Sequence, residues 1–262
     1  MPDSGSPTSE RDDLGTPVAL PPSIARVVSL VPSLTEAVAA TAPELLVGAT
    51  AWCAHPPTLQ VTRVRGTKNP DLAAVIDLRP DVVLANDEEN READIVALRA
   101  AGVVVWVTAP RSVTDGLSSL GRMLGALQLP RPAWLEEAVT AWQQPGPQVR
   151  STPRRRAVIP IWRRPWMAVG RDTFAGDVLR RLGVDNVLAG AADRYPRISL
   201  ANLPPVDLVV LPDEPYAFSW DDGPEAFRTT PVACVSGRHL TWYGPSLVTA
   251  PELLRRQLEQ TR

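Results

Sequence analysis

Arg26-Val27-Val28-Ser29-Leu30-Val31-Pro32-Ser33-Leu34-Thr35-Glu36 is the stretch that decides the fold. Its first six residues are an apolar, mostly β-branched run, which predicts a buried strand. Pro32 and Ser33 then break the run, and the spacing over residues 34–41 predicts a helix capped by Ser33. A strand, a tight turn and a helix N-terminus open an α/β unit. Outward from it the same grammar recurs. A strand over 45–50 leads into Trp52-Cys53-Ala54-His55-Pro56-Pro57, where two prolines force an irregular loop. The loop 65–70 precedes a helix over 71–78 and a strand over 81–85. Asn86-Asp87-Glu88-Glu89-Asn90 is read as opening a helix that runs to residue 101, with a further strand over 103–107.

Helical spacing covers 112–127, and Pro132 is placed as the first residue of another helix that carries Trp134, Leu135, Ala138 and Trp142. At 1.5 Å per residue, roughly 12 residues span ~18 Å, which suits a link between two lobes. The Pro, Gln and Gly stretch over 145–153 closes the segment. The second half then repeats the first, with a strand over 157–162, a helix over 173–182, and strands over 206–211 and 231–235. Acidic loops stand at corresponding strand ends, Asp87-Glu88-Glu89 in the first half and Asp213-Glu214 in the second. The expected fold class is therefore α/β: two similar lobes with mostly parallel sheets, joined by a single linking helix. The expected divisions are a disordered leader over 1–24, lobes over 25–111 and 153–262, and a linking segment over 112–152. Ligands of α/β sheets bind at the carboxyl ends of strands, so a cleft between the lobes is the expected site.

Composition excludes several classes. The chain has 262 residues, a formal charge of −2 and a pI near 5.8, which give no footprint for nucleic acid or an anionic membrane surface. Residues 1–22 lack the basic and apolar regions of a secretory signal, so the sequence alone predicts a cytoplasmic protein without direct membrane association. Cys53 and Cys234 lie far apart and have no metal-ligand spacing, which reads as two free thiols. Gly170-Arg171-Asp172-Thr173-Phe174 lacks the residues of a phosphate loop.

The chain resembles the helical-backbone substrate-binding proteins of ABC importers, whose members capture cobalamin, haem and iron–siderophore complexes. The opening stretch carries the resemblance together with Arg79-Pro80-Asp81-Val82-Val83-Leu84, Gly170-Arg171-Asp172-Thr173-Phe174, Leu182-Gly183-Val184-Asp185-Asn186-Val187 and Tyr195-Pro196-Arg197-Ile198-Ser199. What it implies is two lobes on one stiff helix, with a ligand held by loops of both. It also exposes departures. Glutamates that pair with transporter arginines in similar proteins are replaced here by Ala73 and Ala201, which makes permease docking doubtful. Two positions that carry aromatics in cobalamin-binding members hold Thr67 and Asn86, a polar lining suited to a smaller, more hydrophilic ligand. Ser246 stands where the family often has an arginine, a charge that Arg163, Arg164 or Arg171 could replace.

Candidate ligand contacts follow from these loops. Trp52, Trp162, Trp166 and Trp242 suit stacking on a planar ligand or a cation, the alternative being that they only pack the lobes. Trp106, Trp134 and Trp142 read as core. Lys68, the only lysine, stands beside Asn69 as a point charge for a carboxylate or phosphate. Glu88 and Glu89 either stabilise a helix N-terminus or bind an amine, hydroxyls or a ligand-borne metal, and Asp213, Glu214 and Tyr216 form the matching wall. Ser33 and His55 complete the set. No catalytic residue, resident cofactor or protein-held metal is expected. The expected partner is a small molecule, a metal chelate among the candidates. Two rival readings remain: an orthodox importer subunit for cobalamin or an iron–siderophore, and an enzyme using Glu88 or Asp213 as acid–base group with Lys68 or Cys53.

Overall fold

A computed structural model describes residues 9–143 and 153–262. The chain divides into two compact units. The first comprises residues up to Pro110, Gly116–Glu136 and Tyr243–Pro245; the second comprises Arg111–Asp115, Glu137–Trp242 and Ser246–Arg262.

In the first unit the strands are β1 (Ser9–Arg11), β2 (Pro17–Ala19), β3 (Val27–Ser29), β4 (Leu46–Ala49), β5 (Thr62–Arg63), β6 (Arg65–Gly66), β7 (Asn69–Pro70), β8 (Val82–Asn86) and β9 (Val105–Thr108). Helices α1 (Pro32–Ala39), α2 (Leu72–Asp77) and α3 (Glu92–Ala100) alternate with them. Strands β5-β4-β3-β8-β9 form one sheet, parallel throughout. β8 is buried along its whole length, as expected of a central parallel strand. Val28, Leu30, Val83, Ala85, Ile95 and Leu98 pack a shared core, each worth about 1–3 kcal/mol of burial.

Helix α4 (Val113–Ala126) and helix α5 (Ala133–Gln143) follow. The division between the units falls within both helices, after Asp115 and after Glu136. One linking helix was expected, and α5 fits that place, but the chain also changes unit on either side of 111–115 and of 243–245. The predicted closing stretch over 145–153 lies outside the described residues except for Pro153.

The second unit contains β10 (Arg155–Val158), β11 (Pro160–Arg163), β12 (Trp166–Ala168), α6 (Phe174–Arg181), β13 (Val184–Asn186), β14 (Leu208–Pro212), β15 (Val232–Val235), α7 (Gly237–Thr241) and α8 (Ala250–Glu259). Its four-stranded sheet, β13-β10-β14-β15, is again parallel. Thr173 caps α6 through the Gly176 N–H at 3.2 Å, and Asp177 on that helix accepts the Val113 N–H at 2.9 Å. Burial would raise the Asp177 carboxyl, but that N–H and the Arg181 and Arg180 guanidinia hold it below its ordinary value.

Several expectations need correction. The disordered leader is contradicted over its described part: β1 and β2 pair as an antiparallel hairpin, and Val18 and Leu20 are 4% and 1% exposed. Asp12 bonds Arg99 at 3.0 Å, while Asp13 accepts the Ala109 N–H at 2.8 Å and the Ser119 hydroxyl at 2.6 Å. Acidic and proline-rich composition hid a segment whose two aspartates have partners far along the chain. Ser33 does not cap α1; Val31 is the cap residue, Pro32 takes the first turn, and Ser33 lies inside the helix. The acidic residues 87–89 do not open α3, which starts at Glu92 after Arg91; they form a turn of their own. The strand expected over 157–162 is split into β10 and β11, and β11 turns back against β12.

Candidate functional site

In the first unit most of the expected ligand residues follow the carboxyl ends of parallel strands, Ser33 lying inside α1 instead. In the second, Asp213, Glu214 and Tyr216 follow β14, whereas Trp162 and Arg163 lie on β11, Trp166 lies on its antiparallel partner β12, and Trp242 ends α7. Trp52 and His55 follow β4, Thr67, Lys68 and Asn69 lie on the β6–β7 hairpin, and Asn86, Glu88 and Glu89 follow β8. Trp52 is 69% exposed, and its indole Nε1 lies 3.3 Å from where a side chain on Gly66 would begin, so the ring rests on the hairpin. His55 is half-buried in the same loop.

The Asn86 side chain holds these loops together. Its Nδ2 donates to Thr108 O at 3.0 Å and to the Tyr243 hydroxyl at 2.8 Å, and its Oδ1 accepts the Glu88 and Glu89 N–H groups at 2.8 and 3.0 Å. Both N–H bonds and both carbonyl lone pairs are thereby taken. Asn86 is buried beneath the turn that carries Glu88 and Glu89, both half-buried. Asn90, also buried, donates to Thr67 O at 2.9 Å, and Lys68 donates to Glu88 O, which ties the hairpin to the acidic turn. Lys68 and Asn69 remain exposed.

Cys53 lies beneath this surface, fully buried, with its Sγ 3.0 Å from Thr35 Oγ1 and 3.1 Å from Thr50 Oγ1. Burial pushes its thiol up despite those two hydrogen bonds, the opposite of what a nucleophile needs. Among the described residues no group of three or more His, Cys, Asp or Glu could hold a metal ion.

In the second unit the residues form two clusters. Arg163 pairs with Asp222 and Glu225 and lies over the Trp166 ring at 5.6 Å. Trp166 stacks on Phe218 with centroids 5.9 Å apart and meets Phe227 edge-on at 5.5 Å. Both side chains are thus committed to packing, and Arg163 is not a spare charge in place of Ser246. Trp162 differs: it is 42% exposed and meets Tyr216 edge-on at 5.7 Å, and the Tyr216 hydroxyl donates to Asp222 at 2.7 Å. The sequence pointed to these four residues but not to Asp222, Phe218, Phe227 and Glu225, which are distant in the chain and converge only through the fold.

The second cluster follows β14. Asp213 accepts the Gly237 N–H at 2.6 Å, and Glu214 accepts the Trp242 indole N–H at 3.0 Å. Trp242 is buried, with Arg238 over its ring at 5.9 Å. Gly237 is required here, because a Cβ would stand 2.6 Å from the Glu214 backbone nitrogen. Burial pushes the Glu214 carboxyl above its ordinary value, against the Trp242 bond and with some help from Asp213. A carboxyl that titrates higher folded than unfolded favours the fold below its unfolded value, about 4.3, and loses that contribution as pH rises through the folded one. Glu214→Gln, which keeps an acceptor for Trp242, is expected to raise Tm at pH 7 and to match the parent below about pH 4. A lower Tm at pH 7 would show that the ionised carboxylate stabilises the fold.

Two parallel-sheet units with stacking rings and carboxyl groups at their strand ends define a ligand-capturing protein of the α/β type. The chain belongs to the periplasmic binding protein family, whose model matches residues 27–205. It is 24% identical over 251 residues to a vitamin B12-binding protein of Pectobacterium carotovorum, covering 89% of this chain and 88% of that one. Among solved structures, periplasmic vitamin B12 binding protein BtuF of Vibrio cholerae superposes with a TM-score of 0.70 at 18% identity, covering 90% of this chain and 97% of that one. CeuE of Helicobacter pylori, in a Ni-His complex, gives a TM-score of 0.81 at 12% identity over 97% of this chain and 88% of that one. The first two are binding proteins by name. The matches also overturn the cytoplasmic expectation, because the family is that of the periplasmic binding proteins and the Vibrio cholerae relative is a periplasmic one. The composition of residues 1–22 is no measure of where the protein works, and part of that segment belongs to the folded unit.

Proposed function

We propose that this protein captures a compact, planar, polar or metal-complexed ligand on the segments that follow its strand ends, and acts by binding alone. The observation that carries this reading is the exposure of Trp52, after β4, and of Trp162, on β11. An exposed indole offers a large, stiff, flat face that suits a conjugated ring system. Lys68, Glu88 and Glu89 supply charges of both signs around Trp52, suited to the polar rim of a chelate. The buried thiol of Cys53 supports binding over catalysis. Relatives named for vitamin B12 and haem make corrinoids and haem the first ligands to try.

The test is titration of the purified protein with haemin, hydroxocobalamin and an iron–siderophore chelate, read by tryptophan quenching and native mass spectrometry. One of them is expected to bind at one per chain. Trp52→Ala and Trp162→Ala are each expected to weaken it about tenfold, ~1.4 kcal/mol, with little change in Tm for Trp52→Ala. No binding by any of the three would overturn the reading. Ala73 and Ala201 are both exposed, so neither position offers a charge to a permease arginine. A permease that reads those two charges would hold this protein weakly, and Ala73→Glu with Ala201→Glu would strengthen the complex.

A further inference from the structure

Residue 243 lies far from the acidic turn in sequence, yet it belongs to the first unit and reaches the middle of that unit's polar network. Thr108 Oγ1 donates its only proton to Ala85 O at 3.1 Å, so the 2.9 Å contact between Thr108 Oγ1 and the Tyr243 hydroxyl is donated by tyrosine. The tyrosine oxygen then accepts from Asn86 Nδ2 at 2.8 Å. A relay runs from Asn86 through Tyr243 and Thr108 to Ala85, and it leaves only the Asn86 NH2 able to face Tyr243. The Asn86 carbonyl is thereby turned toward the Glu88 and Glu89 N–H groups. Tyr243 is buried, and its phenol is pushed above its ordinary value by that burial, so it stays a neutral donor. Gly244 allows the approach: a Cβ there would lie 3.1 Å from Ser33 O.

We propose that Tyr243 is a positioning residue for ligand recognition: through Asn86 it sets the turn that presents Glu88 and Glu89, and so determines which polar groups the ligand may carry. The ligand part rests on the binding reading above; the positioning part does not. The consequence is that the first unit's ligand surface is completed by a segment, 243–245, that the chain supplies only after building most of the second unit. Trp242, the preceding residue, bonds Glu214 within that second unit.

The test uses the full chain with Tyr243→Phe, which removes only the hydroxyl, and Thr108→Val as a second, independent cut in the relay. Amide hydrogen exchange is expected to quicken about tenfold at Glu88 and Glu89 while Val83 and Leu84 of β8 keep their protection. Whichever of haemin, hydroxocobalamin or the iron–siderophore chelate binds the parent is expected to bind Tyr243→Phe about tenfold more weakly. Unchanged exchange at 88 and 89, or equal acceleration throughout the first unit, would overturn the proposal, as would unchanged affinity alongside loosened exchange. If the parent binds none of the three probes, the binding reading fails and the exchange experiment still decides the positioning.

Discussion

Gly170→Val is expected to destabilise the second unit by about 3 kcal/mol or more, a fall in Tm of roughly 6–12 °C. A Cβ at this position would stand 2.3 Å from Asp193 O, 2.8 Å from Pro196 Cδ and 3.0 Å from Arg194 O. Two of those atoms are backbone, so the clash cannot be relieved by rotating a side chain. Gly170 also donates its N–H to Arg194 O at 2.6 Å, and Asn186 Nδ2 donates to the carbonyls of Val169 and Gly170 at 2.9 and 3.1 Å. A valine would have to displace the 193–196 segment and would strain these three bonds. Gly190→Ala is the control, because nothing lies within 4 Å of its Cβ; it is expected to stay within about 0.5 kcal/mol of the parent. Thermal unfolding of the two variants checks this. Equal behaviour would mean that the 193–196 segment yields without cost.

Asn86→Ala is the second large effect, on stability and binding together. The side chain satisfies Thr108 O, the Tyr243 hydroxyl and the N–H groups of Glu88 and Glu89. Its removal costs Thr108 O and the Tyr243 hydroxyl one hydrogen bond each, although Thr108 O keeps the Asp87 N–H at 3.1 Å and Tyr243 keeps Thr108 Oγ1 at 2.9 Å, while the two N–H groups, nearer the surface, recover water. The expected cost is about 2–3 kcal/mol, from several buried hydrogen bonds worth ~0.5–1.5 kcal/mol each. Ligand affinity should fall at least as far as in Trp52→Ala, because Glu88 and Glu89 lose their fixed turn. Denaturant unfolding and the ligand titration measure the two parts separately. A stable Asn86→Ala that binds normally would show that the acidic turn is held by other means.

Much of the fold was legible because hydrophobic period and strand length are local properties. The run at residues 26–31 became β3, and the stretches near 82–85, 208–211 and 232–235 became buried parallel strands within one to three residues of expectation. Trp106 and Trp142 are buried as their neighbours on a strand and a helix implied, and the Trp142 indole bonds Leu247 O at 2.9 Å. The hairpin at 9–19 left a weaker signal, an Asp-Leu-Gly turn with Gly15 at φ 76°, masked by the surrounding Pro, Ser and Asp. For the candidate site residues, the sequence did not show which side chains are taken up by packing. Trp162 and Trp166 are alike in composition and context, yet the first is exposed and the second stacks on Phe218.

By itself, then, the sequence determined the α/β alternation, the repeated halves and the loops where strand ends and chemistry coincide, because each depends on spacing within a dozen or so residues. Only the tertiary structure decided which polar side chains face outward. Asn86 spends its hydrogen bonds on Thr108 and Tyr243, Arg163 spends its charge on Asp222 and Glu225, and Asp13 is held by residues about a hundred positions away. The reason is physical: a buried polar group must find its partners wherever the fold brings them, and sequence distance puts no limit on that.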